Sequence, residues 1–264
     1  MDPFTEGIVV ASISGTLLLG YHAILVYLIW RHTLVTVIGL TRDARRVWVM
    51  KIMEKPDSIL GVQTLRNWVM SSSQLASTAV VILLALTAFI PIPGRSGQSL
   101  LAAPTDDPTL IIKMAMLCVS FMVAFFAFTQ SMRYFNHVSV LLAAGSIPPA
   151  DPPQTPLEYW VDDNPVAIQK FAASLFNRGA MFHTIGMRCY YCTFPIILWF
   201  FGHWALFGGM VALLTILAVL DYTGIDYVRT KRRGPYAWPS PVLRPAPPSV
   251  SSHALTQDRN MESV

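Results

Sequence analysis

Apolar residues run along this chain in long blocks, broken by short stretches rich in charge, proline or glycine. The first block, Ile8 to Trp30, holds 23 residues without Lys, Arg, Asp or Glu. At a 1.5 Å rise per residue it is long enough to cross about 34 Å as a helix. It ends on Tyr27, Trp30 and Arg31, the aromatic and basic edge of a membrane interface. A second helix is predicted from Ser58 to Ile90, spanning lipid over about 70–90 and stopped by Pro91 and Pro93. A third span covers about 110–133, and its helix continues to Ala144. Another helix begins near Pro165, amphipathic at first, and its apolar end predicts a span over 181–201. Gly202 and His203 then turn the chain into a last span, 204–220.

The prediction is an all-α, polytopic transmembrane bundle of about five spans, or four if the last two form a re-entrant pair with His203 inside the bilayer. An interfacial amphipathic helix is added between the first two spans, capped by Thr41 and running to about Lys55, where Pro56 stops it. Residues 1–228 read as the membrane domain. Residues 229–264 read as a basic tail containing proline and serine, disordered and cytosolic. The proline- and glycine-rich segment 91–108 reads as an external loop.

Composition sharpens this picture. Hydrophobic residues make up 53% of the 264 positions and charged ones 13%, against about 25% charged in soluble domains. Mean hydropathy is +0.49. A formal charge of +4 does not mark a nucleic-acid surface, because the basic residues cluster between apolar blocks and orient the chain in the bilayer. Seven Lys and Arg fall between Arg31 and Arg66, four between Arg133 and Arg188 and six in the tail, against Arg95 and Lys113 on the other side. This asymmetry predicts an external amino terminus and a cytosolic carboxyl terminus. The first seven residues carry no Lys or Arg, so the first apolar block reads as a retained anchor and not as a cleaved signal.

Polar residues inside spans carry the candidate chemistry, because each is costly unless it faces protein or water. At 100° per residue, Gln63, Asn67 and Gln74 fall within about 40° of one another, with Arg66 at the edge of that face. In the third helix Gln130, Arg133 and His137 share a face, with Ser131 and Asn136 at its margins. In the fourth, Asn177, Thr184, Arg188, Tyr191 and Pro195 lie within about 40° of one line, flanked by Arg178 and His183. His22 shares a face with Gly15 and Leu18, where a neighbouring helix is expected to approach closely. Asp221, ending the last span, is a natural partner for one of the arginines.

Two accounts fit these faces. They line a cytosol-facing vestibule that binds an anion or an anionic lipid headgroup, with Arg66, Arg133, Arg178 and Arg188 bearing the charge and Gln63, Asn67, Asn136 and Asn177 orienting it. Alternatively they hold the helices together in a non-transporting structural or regulatory subunit, with snorkelling arginines at its edge. Membrane lipids are the expected partners under both, and a homo-oligomer is compatible with either. There is no phosphate loop, nucleophile elbow, His-Glu-x-x-His or pair of membrane carboxylates, so no enzyme is expected. No cofactor or metal is expected either: Cys189 and Cys192 lack the second pair a zinc site needs, and Cys118 stands alone.

Several segments together resemble one family. They are Tyr21-His22, Thr36-Val37-Ile38-Gly39-Leu40, Ala44-Arg45-Arg46-Val47-Trp48-Val49, Gln63-Thr64-Leu65-Arg66-Asn67, Ser131-Met132-Arg133-Tyr134-Phe135-Asn136 and Asn177-Arg178-Gly179. Arg188, Tyr190, Pro195, Trp199, Phe201 and Gly202 follow in order. The chain resembles the domain of unknown function 599 family, multi-pass membrane proteins of plants and bacteria, over about residues 15 to 225. The resemblance implies four or five spans and brings no settled activity.

Overall fold

A computed structural model of the chain describes residues 3–32, 35–54, 59–88, 108–144 and 165–222. All of them belong to the unit Met1–Ile225. The expectations for the 91–107 loop and the 229–264 tail lie outside the described residues.

Among the described residues six helices form and no strand. They are α1 Pro3–Arg31, α2 Val37–Met53, α3 Ile59–Thr87, α4 Pro108–Ala144, α5 Pro165–Leu198 and α6 His203–Asp221, with a short 3-10 turn Trp199–Phe201 after α5. Helices α4 and α5 open on a proline, whose missing N–H costs nothing in the first turn. Gly202, at φ 142°, makes the turn into α6 in a region that side chains avoid.

The interfacial helix starts earlier than expected. Thr36, not Thr41, is its cap: Thr36 is extended (φ −113°, ψ 141°) and its hydroxyl accepts from the Gly39 N–H at 3.2 Å. Thr41 lies one turn inside, and its hydroxyl donates back to the Val37 carbonyl at 2.8 Å. The buried side of α2, with Gly39, Val49 and Met53, rests largely on α5, where Trp48 packs on Phe176 at 5.5 Å.

Contacts along the helices set their directions. A Cβ placed on Gly179 would meet the Phe135 ring, and one on Gly186 would meet Phe128. Residue numbers rise on α5 as they fall on α4, so these helices are antiparallel. Helix α1 runs parallel to α6, since Gly7 lies against His203 and Tyr21 bonds Asp221. The turn at Gly202 therefore sits level with the start of α1.

Among the described residues four helices are long and apolar enough to cross a membrane: Thr5–Arg31, Ile59–Thr87, Thr109–Ala144 and His203–Asp221. The chain is an integral membrane protein. Helix α5, expected to span over 181–201, falls outside that group by composition because Asn177, Arg178, His183, Thr184 and Arg188 interrupt it. It nevertheless lies beside α4 from Phe176 on Phe135 to Trp199, whose ring sits 5.5 Å from the Lys113 ammonium. It covers the depth of a spanning helix, and neighbours screen much of its polar side.

Interior faces follow the coiled-coil alternation of four and three residues: Phe121, Ala124, Phe128, Ser131, Phe135 and Val138 on α4 are all buried. Glycines on α5 receive the phenylalanine rings of α4, so small residues set the distance between these helices. Gly186→Ala is expected to destabilise the protein by about 1–3 kcal/mol, because its Cβ would lie 2.7 Å from the fully buried Phe128 ring. Gly208→Ala, where a Cβ meets nothing within 4 Å, is the matched control. Thermal midpoints in mild detergent should fall for the first and hold or rise for the second.

Candidate functional site

Two polar clusters inside the bundle are closed upon themselves. In the first, the Ser131 hydroxyl donates to the Gly179 carbonyl at 2.9 Å, and that carbonyl can only accept. Ser72, 3.3 Å from Ser131, must then donate to it, so His183 Nδ1, 3.0 Å from Ser72, is the donor to Ser72. This chain of three bonds ties α5 to α3 and α4 and leaves no hydroxyl proton unused.

In the second cluster Arg188 Nη2 donates to both oxygens of Asp221, at 2.9 and 2.7 Å. The Tyr21 hydroxyl donates to Asp221 Oδ2 at 2.5 Å. His22 Nδ1 lies 2.8 Å from the Leu18 carbonyl and therefore carries the proton, which leaves Nε2 to accept from Arg188 Nη1 at 3.4 Å. Helices α1, α5 and α6 meet in this quartet, and the charge of Arg188 is spent on Asp221.

A groove of about 480 Å³ opens from the quartet, between the carboxyl-terminal half of α1, α2 and α5. Its far rim is built around Asn177 of α5. Arg45 Nε donates to Asn177 Oδ1 at 2.8 Å, and Asn177 Nδ2 donates to the Arg42 carbonyl at 3.2 Å. One amide thus orients a guanidinium and fastens α2 to α5. Arg42, Arg45 and Arg46, at helical spacings of three and four, line the groove with Arg178.

Among the described residues Asp43 is the carboxylate beside two of these guanidinium groups, 3.7 Å from Arg42 Nε and 3.9 Å from Arg46 Nη1. Neither separation is a hydrogen bond. The rim carries a surplus of positive charge. Burial, and then the charge of Arg42, push the Arg45 guanidinium below its usual range. An arginine stays charged regardless.

Of the eight residues expected to bind a ligand, Asn177, Arg178 and Arg188 line this groove, together with His22 and Thr184. Gln63, Arg66 and Asn67 on α3 and Arg133 and Asn136 on α4 are exposed and do not line it. The inward side of α3 is taken by Gly61, Leu65, Ser72, Ala76 and Ala79, and that of α4 by Phe121, Phe128 and Phe135. The polar faces of those two helices are thereby turned outward. Gly15 makes no close approach either, with nothing within 4 Å of an added Cβ.

Sequence reasoning missed Arg42, Arg45 and Arg46 as site residues, although their three- and four-residue spacing on an amphipathic helix was the available signal. It matched Asp221 to an arginine, and the structure shows that arginine to be Arg188.

Comparison with curated proteins and with solved structures gives no match. The family model described as protein of unknown function, DUF599, matches residues 9–224. That match covers most of the chain, the helical bundle and the groove with it, and the protein belongs to the DUF599 family.

Proposed function

We propose that the groove binds an anion or an anionic lipid headgroup from the cytosolic side of the membrane, supporting transport or lipid handling. The observation that carries this reading is the rim itself: among the described residues four guanidinium groups line it, one of them held by Asn177, beside one carboxylate that neither Arg42 nor Arg46 approaches within hydrogen-bond distance. Guanidinium presents a planar fork matched to phosphate and carboxylate, and such bonds are the strong ones. Arg45, Arg178 and Asn177 are the principal contacts, with Arg42 and Arg46 adding charge. No residue is assigned a catalytic role. Binding of sn-glycerol 3-phosphate by the purified protein, with and without Arg45→Gln and Arg178→Gln, tests the reading.

The cytosolic assignment rests on the lysines and arginines concentrated on one side of the spans. It places the amino terminus outside and the carboxyl terminus inside. Ala44→Cys, introduced on the exposed side of α2 with Cys118, Cys189 and Cys192 replaced by serine, should resist a membrane-impermeant maleimide in intact cells. It should react once the membrane is opened. Labelling in intact cells would invert the orientation.

The rival reading, a structural or regulatory subunit, draws on the two closed clusters, which act as interhelical ties. They account for Ser72, Ser131, His183, Arg188 and Asp221 without any ligand. They do not account for the surplus of guanidinium groups at the rim.

A further inference from the structure

Charge and apolar lining are separated along the length of the groove. Asn177 and the four arginines form one end. Towards Arg188, ten residues and about 15 Å further along α5, the walls are Leu25, Val26 and Ile29 of α1 with Met181 and Ile185 of α5. Val26 is 55% exposed and Met181 54%, so these walls open sideways, on the surface that spanning helices present to hydrocarbon. The inner end offers no free charge, because Arg188 is consumed by Asp221.

A free inorganic anion would use the rim and leave the apolar walls unmatched. A volume of about 480 Å³ falls within the roughly 300–1,000 Å³ of sites that hold ligands much larger than phosphate. An amphiphile satisfies both parts at once. Its phosphate meets the arginines at the depth of the headgroups, and its chain lies along α1 and α5. Each methylene removed from water adds about fourfold to affinity.

Resting on the anion site proposed above, we infer that the ligand is a phosphate-bearing glycerolipid that enters the groove laterally from the inner leaflet, between α1 and α5. Its phosphate bridges Arg45 and Arg178, and one acyl chain covers Val26, Met181 and Ile185.

The test uses the full chain in zwitterionic detergent and four probes: dihexanoyl phosphatidic acid, dihexanoyl phosphatidylcholine, sn-glycerol 3-phosphate and inorganic phosphate. Titration calorimetry should show the phosphatidic acid binding at least 100-fold more tightly than glycerol phosphate or phosphate, and more tightly than phosphatidylcholine. Met181→Trp, and separately Val26→Trp, should weaken the phosphatidic acid at least tenfold and leave glycerol phosphate unchanged. Both positions are exposed, and an unchanged thermal midpoint confirms that each variant is folded. Equal affinity for phosphatidic acid and glycerol phosphate, with neither tryptophan having an effect, would overturn the lipid inference and leave a free-anion site standing. Equal affinity for phosphatidylcholine would overturn the role of the phosphate charge. If no anionic probe binds, or if Arg45→Gln with Arg178→Gln changes nothing, the underlying anion site fails and the inference falls with it.

Discussion

Arg188→Gln is expected to cost the folded bundle about 3–5 kcal/mol, the penalty for leaving a buried carboxylate without its cation. The side chains of Arg188 and Asp221 are 13% and 10% exposed, so solvent does little to screen them. With the guanidinium gone, Asp221 retains the Tyr21 hydroxyl alone, and His22 Nε2 loses its donor. Asp221→Asn should be damaging for the mirror reason, an arginine charge without a counterion. The double variant Arg188→Gln, Asp221→Asn removes both charges and should recover most of the loss, giving a large favourable coupling in a double-mutant cycle. Unfolding midpoints in mild detergent read all four corners of the cycle. An Arg188→Gln protein as stable as the native one would show that this pair does not join α5 to α6.

The second large effect is on binding, with a smaller one on stability. Arg178 is exposed, and the hydrogen-bond partner of Arg45 is Asn177 Oδ1. Removing both charges takes away two guanidinium forks without opening a core. Hydrogen bonds to charged groups contribute about 1.5–3 kcal/mol each. Arg45→Gln with Arg178→Gln should therefore weaken anion binding by about 3–6 kcal/mol, at least a hundredfold. The thermal midpoint should fall by no more than the Arg45–Asn177 bond contributes, about 1.5–3 kcal/mol. Arg66→Gln with Arg133→Gln removes the same charge from positions outside the groove and should leave affinity unchanged apart from a small long-range term. Equal losses from the two pairs would mean that overall charge, and not the groove, attracts the anion.

Helix existence was legible because lipid imposes length. The uncharged run from Ile8 to Trp30 and the φ of 142° at Gly202 follow from rules local to a few residues, whereas α3 ends at Thr87, short of the Ile90 expected. Facing was not legible for α3 and α4. Polar stripes were expected to turn inward, yet Arg66, Asn67, Arg133 and Asn136 are exposed. In a bilayer, polar residues near a helix end satisfy themselves in the headgroup layer, while packing inside the bundle is decided by shape. The better signal lay in spacing: Phe121, Phe128 and Phe135 recur every seven residues on α4, and Gly179 and Gly186 recur every seven on α5 to receive two of them.

The rim depended on a contact that a single sequence does not reveal. Arg45 and Asn177 are 132 positions apart, and neither marks the other as its partner. The docking of α2 on α5 that brings them together follows from Trp48 and Val49 burying against Phe176 and its neighbours. The expected helix with Thr41 as its cap would have placed Arg42 in the first turn. The cap at Thr36 moves the start back, so that Arg42, Arg45 and Arg46 sit mid-helix above the groove.

A structure of the protein in a nanodisc containing phosphatidic acid is the most direct measurement. The account predicts a phosphate in the groove, about 3 Å from the guanidinium nitrogens of Arg45 and Arg178, with Arg188 still bound to Asp221. A groove without phosphate, and lipid phosphates gathered instead at Arg66 or Arg133, would contradict it.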